Sequence, residues 1–125
     1  MTVDEIKNEI MFQTNNDVED LDEFLPYLLD YINEGYDMLV YAWCKEHLGA
    51  DDWPRFTEDT AVPALPEWTH RALADYGTWL VYRNGNPQKQ ERGLPFRAAF
   101  MDVLSKITAS GGKNGPVKNF FNIPD

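Results

Sequence analysis

Nine residues between positions 25 and 47 constrain this chain most. Leu25, Leu28, Leu29, Ile32, Tyr36, Leu39, Val40, Trp43 and His47 recur at steps of three and four, the period that lines up side chains on one face of an α-helix. Asp30, Glu34, Asp37 and Glu46 mostly take the opposite side. The pattern predicts a long helix from about Leu25 to Leu48. Pro26 fits its first turn, where the missing N–H costs nothing, and Gly49 is a natural stop. Gly35 sits mid-helix, at a cost of up to about 1 kcal/mol relative to Ala, and so points to close approach by another helix.

Three further segments repeat the helical period. Thr2 and Glu5 have capping-box spacing and open a helix to about Phe12, with Val3, Ile6 and Ile10 on one face. "LPEWTHRALADYGTWLVYR" (65–83) predicts a third helix with Pro66 at its first position, a stripe through Ala72, Leu73, Tyr76, Trp79, Leu80 and Arg83, and Thr69, His70, Asp75 and Thr78 largely elsewhere. In the fourth, Phe96, Ala99, Phe100, Val103, Leu104 and Ile107 form the stripe. It starts either at Pro95 or near Pro87 with a kink. The expected fold is all-α: a small bundle of about four helices over residues 1–108, with a long loop and a flexible C-terminal arm over 109–125.

Charge is divided along the chain. Residues 1–60 hold 16 Asp/Glu against 3 Lys/Arg; residues 61–125 hold 5 against 8. The front half therefore lacks the clustered Lys/Arg that phosphate binding needs. Its acidity serves solubility, mimicry of DNA, or a surface past which DNA slides without sticking. No apolar run approaches the roughly 20 residues of a bilayer span, and "MTVDEIKNEI" does not have the form of a signal peptide. The single cysteine, Cys44, excludes an internal disulfide and suits assembly in a reducing cytoplasm.

The chemistry-bearing residues form no constellation. His70 has Glu67 three residues before it but no nucleophile at a matching position, which leaves it as a surface histidine. Cys44 and His47 share a helix face, but two ligands do not make a zinc site. The carboxylates of "DVEDLDE" and "ADD" lack the spacing of a calcium loop, and there is no P-loop, dinucleotide fingerprint or nucleophile elbow. The expectation is a non-enzyme with no metal and no cofactor. Two other features bear on contacts. Trp53 and Phe56, in the connection "ADDWPRFTEDTAVPAL", either pin it to the body or present it to a partner. Phe120, Phe121 and Ile123 end the chain without an amphipathic partner segment, so that tail docks either at home or on a neighbour. Arg83, Lys89, Arg92 and Arg97 make a basic corner near the junction of helices three and four, complementary to the acidic half of another copy.

Taken together, the short first helix "TVDEIKNEIMFQ", the long one with "YINEGYDMLVYAW", the Pro-initiated "LPEWTHRALADYGTWLVYR" and the closing "PFRAAFMDVLSKI" resemble the head–tail adaptor (head completion, or connector) proteins of tailed bacteriophages. The likeness covers roughly residues 2–108 and rests on packing patterns; Gly77 stands where that family commonly has Ala. What it implies is a structural virion protein of the neck. Such a subunit forms a ring, typically a dodecamer, below the portal protein, and extends the DNA channel toward a stopper or tail-completion protein. The genome passes through without specific binding. By the resemblance, the loop at 50–64 and the tail at 109–125 would carry portal and neighbour contacts. The residues expected at the oligomer and portal interfaces are Trp53, Phe56, Arg83, Arg92, Arg97, Phe120, Phe121 and Ile123, and Asp17, Glu19, Asp20, Asp22 and Glu23 are expected to line the channel. The competing reading is an acidic DNA mimic or regulatory helical protein that occupies a DNA-binding partner.

Overall fold

In the first turn of the chain, Thr2 and Glu5 hold each other. The Thr2 N–H donates to Glu5 Oε1 at 2.8 Å and the Glu5 N–H donates to Thr2 Oγ1 at 3.1 Å, the reciprocal pair that opens a helix. The computed structural model describes residues 1–14, 21–44 and 54–114, and they are all-helical apart from loops and turns. Helix α1 is Val3–Thr14, α2 is the single turn Leu21–Phe24, α3 is Leu28–Cys44, α4 is His70–Arg83 and α5 is Pro87–Asn114.

α1 buries Val3, Ile6, Ile10 and Thr14. Two of the N–H groups that a helix start leaves without partners are taken by the loop before α4: Val3 donates to the Ala61 carbonyl at 2.8 Å and Asp4 to the Asp59 carbonyl at 2.9 Å. α3 starts later than the periodicity predicts. Leu25–Tyr27 forms a 3-10 turn around Pro26, because proline offers no N–H to the preceding turn and its ring clashes with it. Leu25 and Tyr27 are exposed, and the buried stripe begins at Leu28. The expected extension to Leu48 lies outside the described residues.

α4 is the central helix, in contact with α1, α3 and α5. The pairings fix the directions. Met1 meets Glu67 and His70 while Gln13 meets Asp75 and Thr78, so α1 runs parallel to α4. Gly35 abuts Leu73 and Tyr76 while Tyr31 lies beside Gly77, and Gly93 abuts Tyr82 while Phe100 packs on Tyr76, so α3 and α5 both run against it. The result is an up-down-up-down bundle. Ile6, Ile10, Ile32, Leu39, Leu73, Leu80, Phe100 and Ile107 are fully buried in its core, each contributing about 1.5–3 kcal/mol relative to exposure.

Gly35 makes the close approach its position implied: a Cβ there would stand 3.0 Å from the Tyr76 ring. α5 begins at Pro87, with the Asn86 side chain accepting from the Lys89 N–H at 2.9 Å, and holds Pro95 inside it. It continues past Gly111 and Gly112 to Asn114, so the first residues of the expected flexible arm are helical.

His70 corrects the sequence reading. It is buried, not a surface residue. Glu67–Thr69 forms a 3-10 turn ahead of α4, and this turns Thr69 and His70 inward while Trp68 faces out. Thr78 is buried too. A helix with neighbours on three sides buries positions that a one-sided stripe assigns to solvent.

Candidate interaction surfaces

A search for catalysis centres on His70, the only histidine among the described residues. Its Nε2 lies 2.8 Å from the Leu65 carbonyl, which makes Nε2 the protonated donor there, and its Nδ1 lies 2.9 Å from the Met1 ammonium. Both ring nitrogens are thus occupied by main-chain groups. Glu67 takes the same ammonium at 3.0 Å, and that hydrogen bond, with His70 beside it, holds the carboxyl below its usual range. No Ser, Thr or Cys side chain among the described residues hydrogen-bonds to His70. Among the described residues, no three His, Cys, Asp or Glu side chains are grouped to hold a metal ion, and no helix is long and apolar enough to cross a membrane.

The basic corner is assembled around an indole that the spacing did not reveal. Trp79 and Arg83 are one turn apart on α4, and Arg97 comes from α5. The guanidinium carbon of Arg83 sits 5.1 Å from the centre of the Trp79 ring and that of Arg97 5.5 Å away, within cation–π reach. Tyr76 backs the indole at 5.7 Å and its hydroxyl donates to Glu34 Oε2 at 2.5 Å. Burial, and then the bond to that carboxylate, push the Tyr76 hydroxyl far above its ordinary value. Burial also raises Tyr31, against the opposing pull of Arg83 and a hydrogen bond with Asn84.

Four other cations pair with local carboxylates: Lys7 with Asp59, Arg55 with Asp37, Arg71 with Glu9 and Lys106 with Asp102. Among the described residues Arg83 and Arg97 meet an indole and no carboxylate within ion-pair distance. Arg92 is exposed on α5 and has an interaction of its own.

The other expected contact residues divide. Phe56 is buried, its ring centre 4.3 Å from that of Tyr36. Its N–H donates to Asn33 Oδ1 at 2.7 Å and its carbonyl accepts from Asn33 Nδ2 at 3.0 Å. Phe56 therefore pins the loop to α3 and keeps only 7% of its surface exposed. Asp22 and Glu23 are exposed on α2, at the end of the bundle that also carries Arg83. Asp17, Glu19, Asp20, Trp53, Phe120, Phe121 and Ile123 lie outside the described residues, as do His47 and the Cys44 side chain.

Grooves lie between described elements of the bundle. One, of about 390 Å³, runs between α3 and α5 and is lined by Met38, Tyr41, Ala42, Leu104, Thr108 and Asp37. Another, of about 320 Å³, lies where the loop crosses Tyr36, around Arg55, Phe56 and Val62.

No protein-family model, no curated protein and no solved structure matches the chain.

Proposed function

We propose that the chain is a structural subunit of a tailed-bacteriophage neck, a head–tail adaptor that forms a ring below the portal and continues the DNA channel toward the stopper or tail. The observation that carries this reading is the Arg83–Trp79–Arg97 corner: two cations without a carboxylate partner on the described part of an acid-rich chain. Such a corner is complementary to carboxylates of a neighbouring copy, and repeated contact of one patch with a different one closes into a ring when the rotation allows. Support also comes from the helical bundle and from the packing motifs that resemble the adaptor family. In this reading exposed carboxylates, Asp22 and Glu23 among them, face the genome and repel it, so DNA passes without adhering.

Light scattering tests the proposal on the purified protein, alone and mixed with the portal protein of the same genome. A closed ring, or co-migration with the portal, is expected. A monomer indifferent to the portal that displaces DNA from a DNA-binding protein would instead establish the mimic.

A further inference from the structure

On α4 the side chains that meet α1 and those that build the arginine corner point different ways. Gly77 abuts Ile10, and Asp75 and Thr78 bond to Gln13. Trp79 comes two residues after Gly77, about 200° around the helix. Tyr76, Trp79 and Arg83 follow one another at steps of three and four, and Tyr76 packs on Phe100 of α5 and beside Gly35 of α3. The corner therefore opens on the side of the bundle away from α1.

The outer face of α1 carries Asp4, Glu5, Asn8 and Phe12, all exposed. Phe12 is the most exposed of the large apolar side chains described, at 76%. It stands at the level of Trp79, because Gln13, the next residue, bonds to Thr78, the residue before Trp79. α1 holds Asp4, Glu5 and Glu9 against Lys7 alone, and Lys7 is paired with Asp59. The corner holds two guanidiniums on one indole and no carboxylate among the described residues. Leu94, 53% exposed, lies one turn before Arg97 on α5 and gives the corner an apolar edge. One face thus offers an aromatic ring on an acidic helix. The opposed face offers two cations around an aromatic floor.

The geometry points to a second copy of this chain as the occupant of the corner, with Phe12 of its α1 seated against the Arg83 and Arg97 guanidiniums. A guanidinium that meets an indole on one face keeps its other face for a second ring, and opposite charge steers the two surfaces together. Unlike patches at one level on opposed sides meet under rotation about an axis along the bundle, which repeats without a rise and closes. This inference rests on the ring reading and names the two faces that the ring joins.

Phe12→Ser in the full chain tests it, since an exposed side chain changes without disturbing the core. Thermal unfolding of the monomer should be unchanged, while entry into the ring, alone or on the portal of the same genome, falls at least tenfold by light scattering. If parent and Phe12→Ser assemble equally well, this contact is overturned and the ring stands. If the parent stays monomeric in both settings, both fall. Cross-linking then reads the faces with Phe12 and both arginines kept. α1 runs with α4 and α5 against it, so Asn8, one turn before Phe12, comes opposite Met101, one turn after Arg97, on the next copy. With Cys44→Ala removing the native thiol, Asn8→Cys and Met101→Cys copies are mixed and oxidised mildly. The expected product is a disulfide dimer at several times the yield of either variant alone. Equal yields, or free thiols where the parent assembles, would contradict the contact.

Discussion

The Asn33 side chain holds the main chain of Phe56 on both sides, accepting from its N–H at 2.7 Å and donating to its carbonyl at 3.0 Å. This one amide, on α3, anchors the loop 54–64 at Phe56. The loop in turn supplies the carbonyls that start α1. Asn33→Ala leaves both Phe56 groups buried without partners and should cost about 2–4 kcal/mol. Urea unfolding should show a lower midpoint with an unchanged slope, and limited proteolysis should cut first within 54–64.

Gly77 lies so close to Ile10 that an added Cβ would stand 2.4 Å from its Cδ1. Ala at this position gains about 1 kcal/mol of helix propensity, yet it overpacks the closed α1–α4 contact at about 1–3 kcal/mol. Gly77→Ala should be net destabilising. Ile10→Val removes the offending methyl, so the double variant should be more stable than the sum of the single effects requires. Additive effects in thermal unfolding would contradict this account.

Asp75 gives a pH dependence of definite sign. Burial, opposed by the Gln13 hydrogen bond and by Arg71, raises its carboxyl above the ordinary 3.8. The folded state therefore holds this proton more tightly than the unfolded one. Its stabilising contribution is complete below the ordinary value and is lost as pH rises through the raised folded value. Asp75→Asn keeps an acceptor for Gln13 without the charge. It should be more stable than the parent at pH 7, with the advantage vanishing toward pH about 4; denaturant midpoints across that range check it.

Among the described residues Arg83 and Arg97 hold an indole and no carboxylate, so their loss should barely affect the fold. Arg83→Gln/Arg97→Gln should lower stability by at most about 1–2 kcal/mol, measured by thermal unfolding. A large loss would mean the corner serves the monomer's own packing.

What could be read from the sequence depended on range. The Thr2–Glu5 cap is local, and its residue types and spacing name it. Gly35 was legible because glycine inside a helix has a cost that only close packing offsets. The Arg83–Arg97 corner was visible as a cluster of like charge, but Trp79, which unites the two arginines, sat in the core stripe and carried no sign of that role. The stripe treats α4 as one-sided and so assigns His70 to the surface, whereas three helices surround α4. The Asn33–Phe56 clamp spans 23 residues of sequence, and asparagine on a helix gives no signal of a distant partner. Pro26 reads as a helix start, where its geometry is allowed. The chain instead forms a 3-10 turn at Leu25–Tyr27, and α3 starts after it at Leu28.

The most direct test compares the parent with Arg83→Glu/Arg97→Glu on the portal of the same genome, by light scattering at low and high salt. The account predicts that the parent forms or joins a ring whose stability falls as salt rises, and that the charge-reversed variant, folded by circular dichroism, stays monomeric. A variant that assembles as the parent does, or a parent that never engages the portal at any salt, would contradict it.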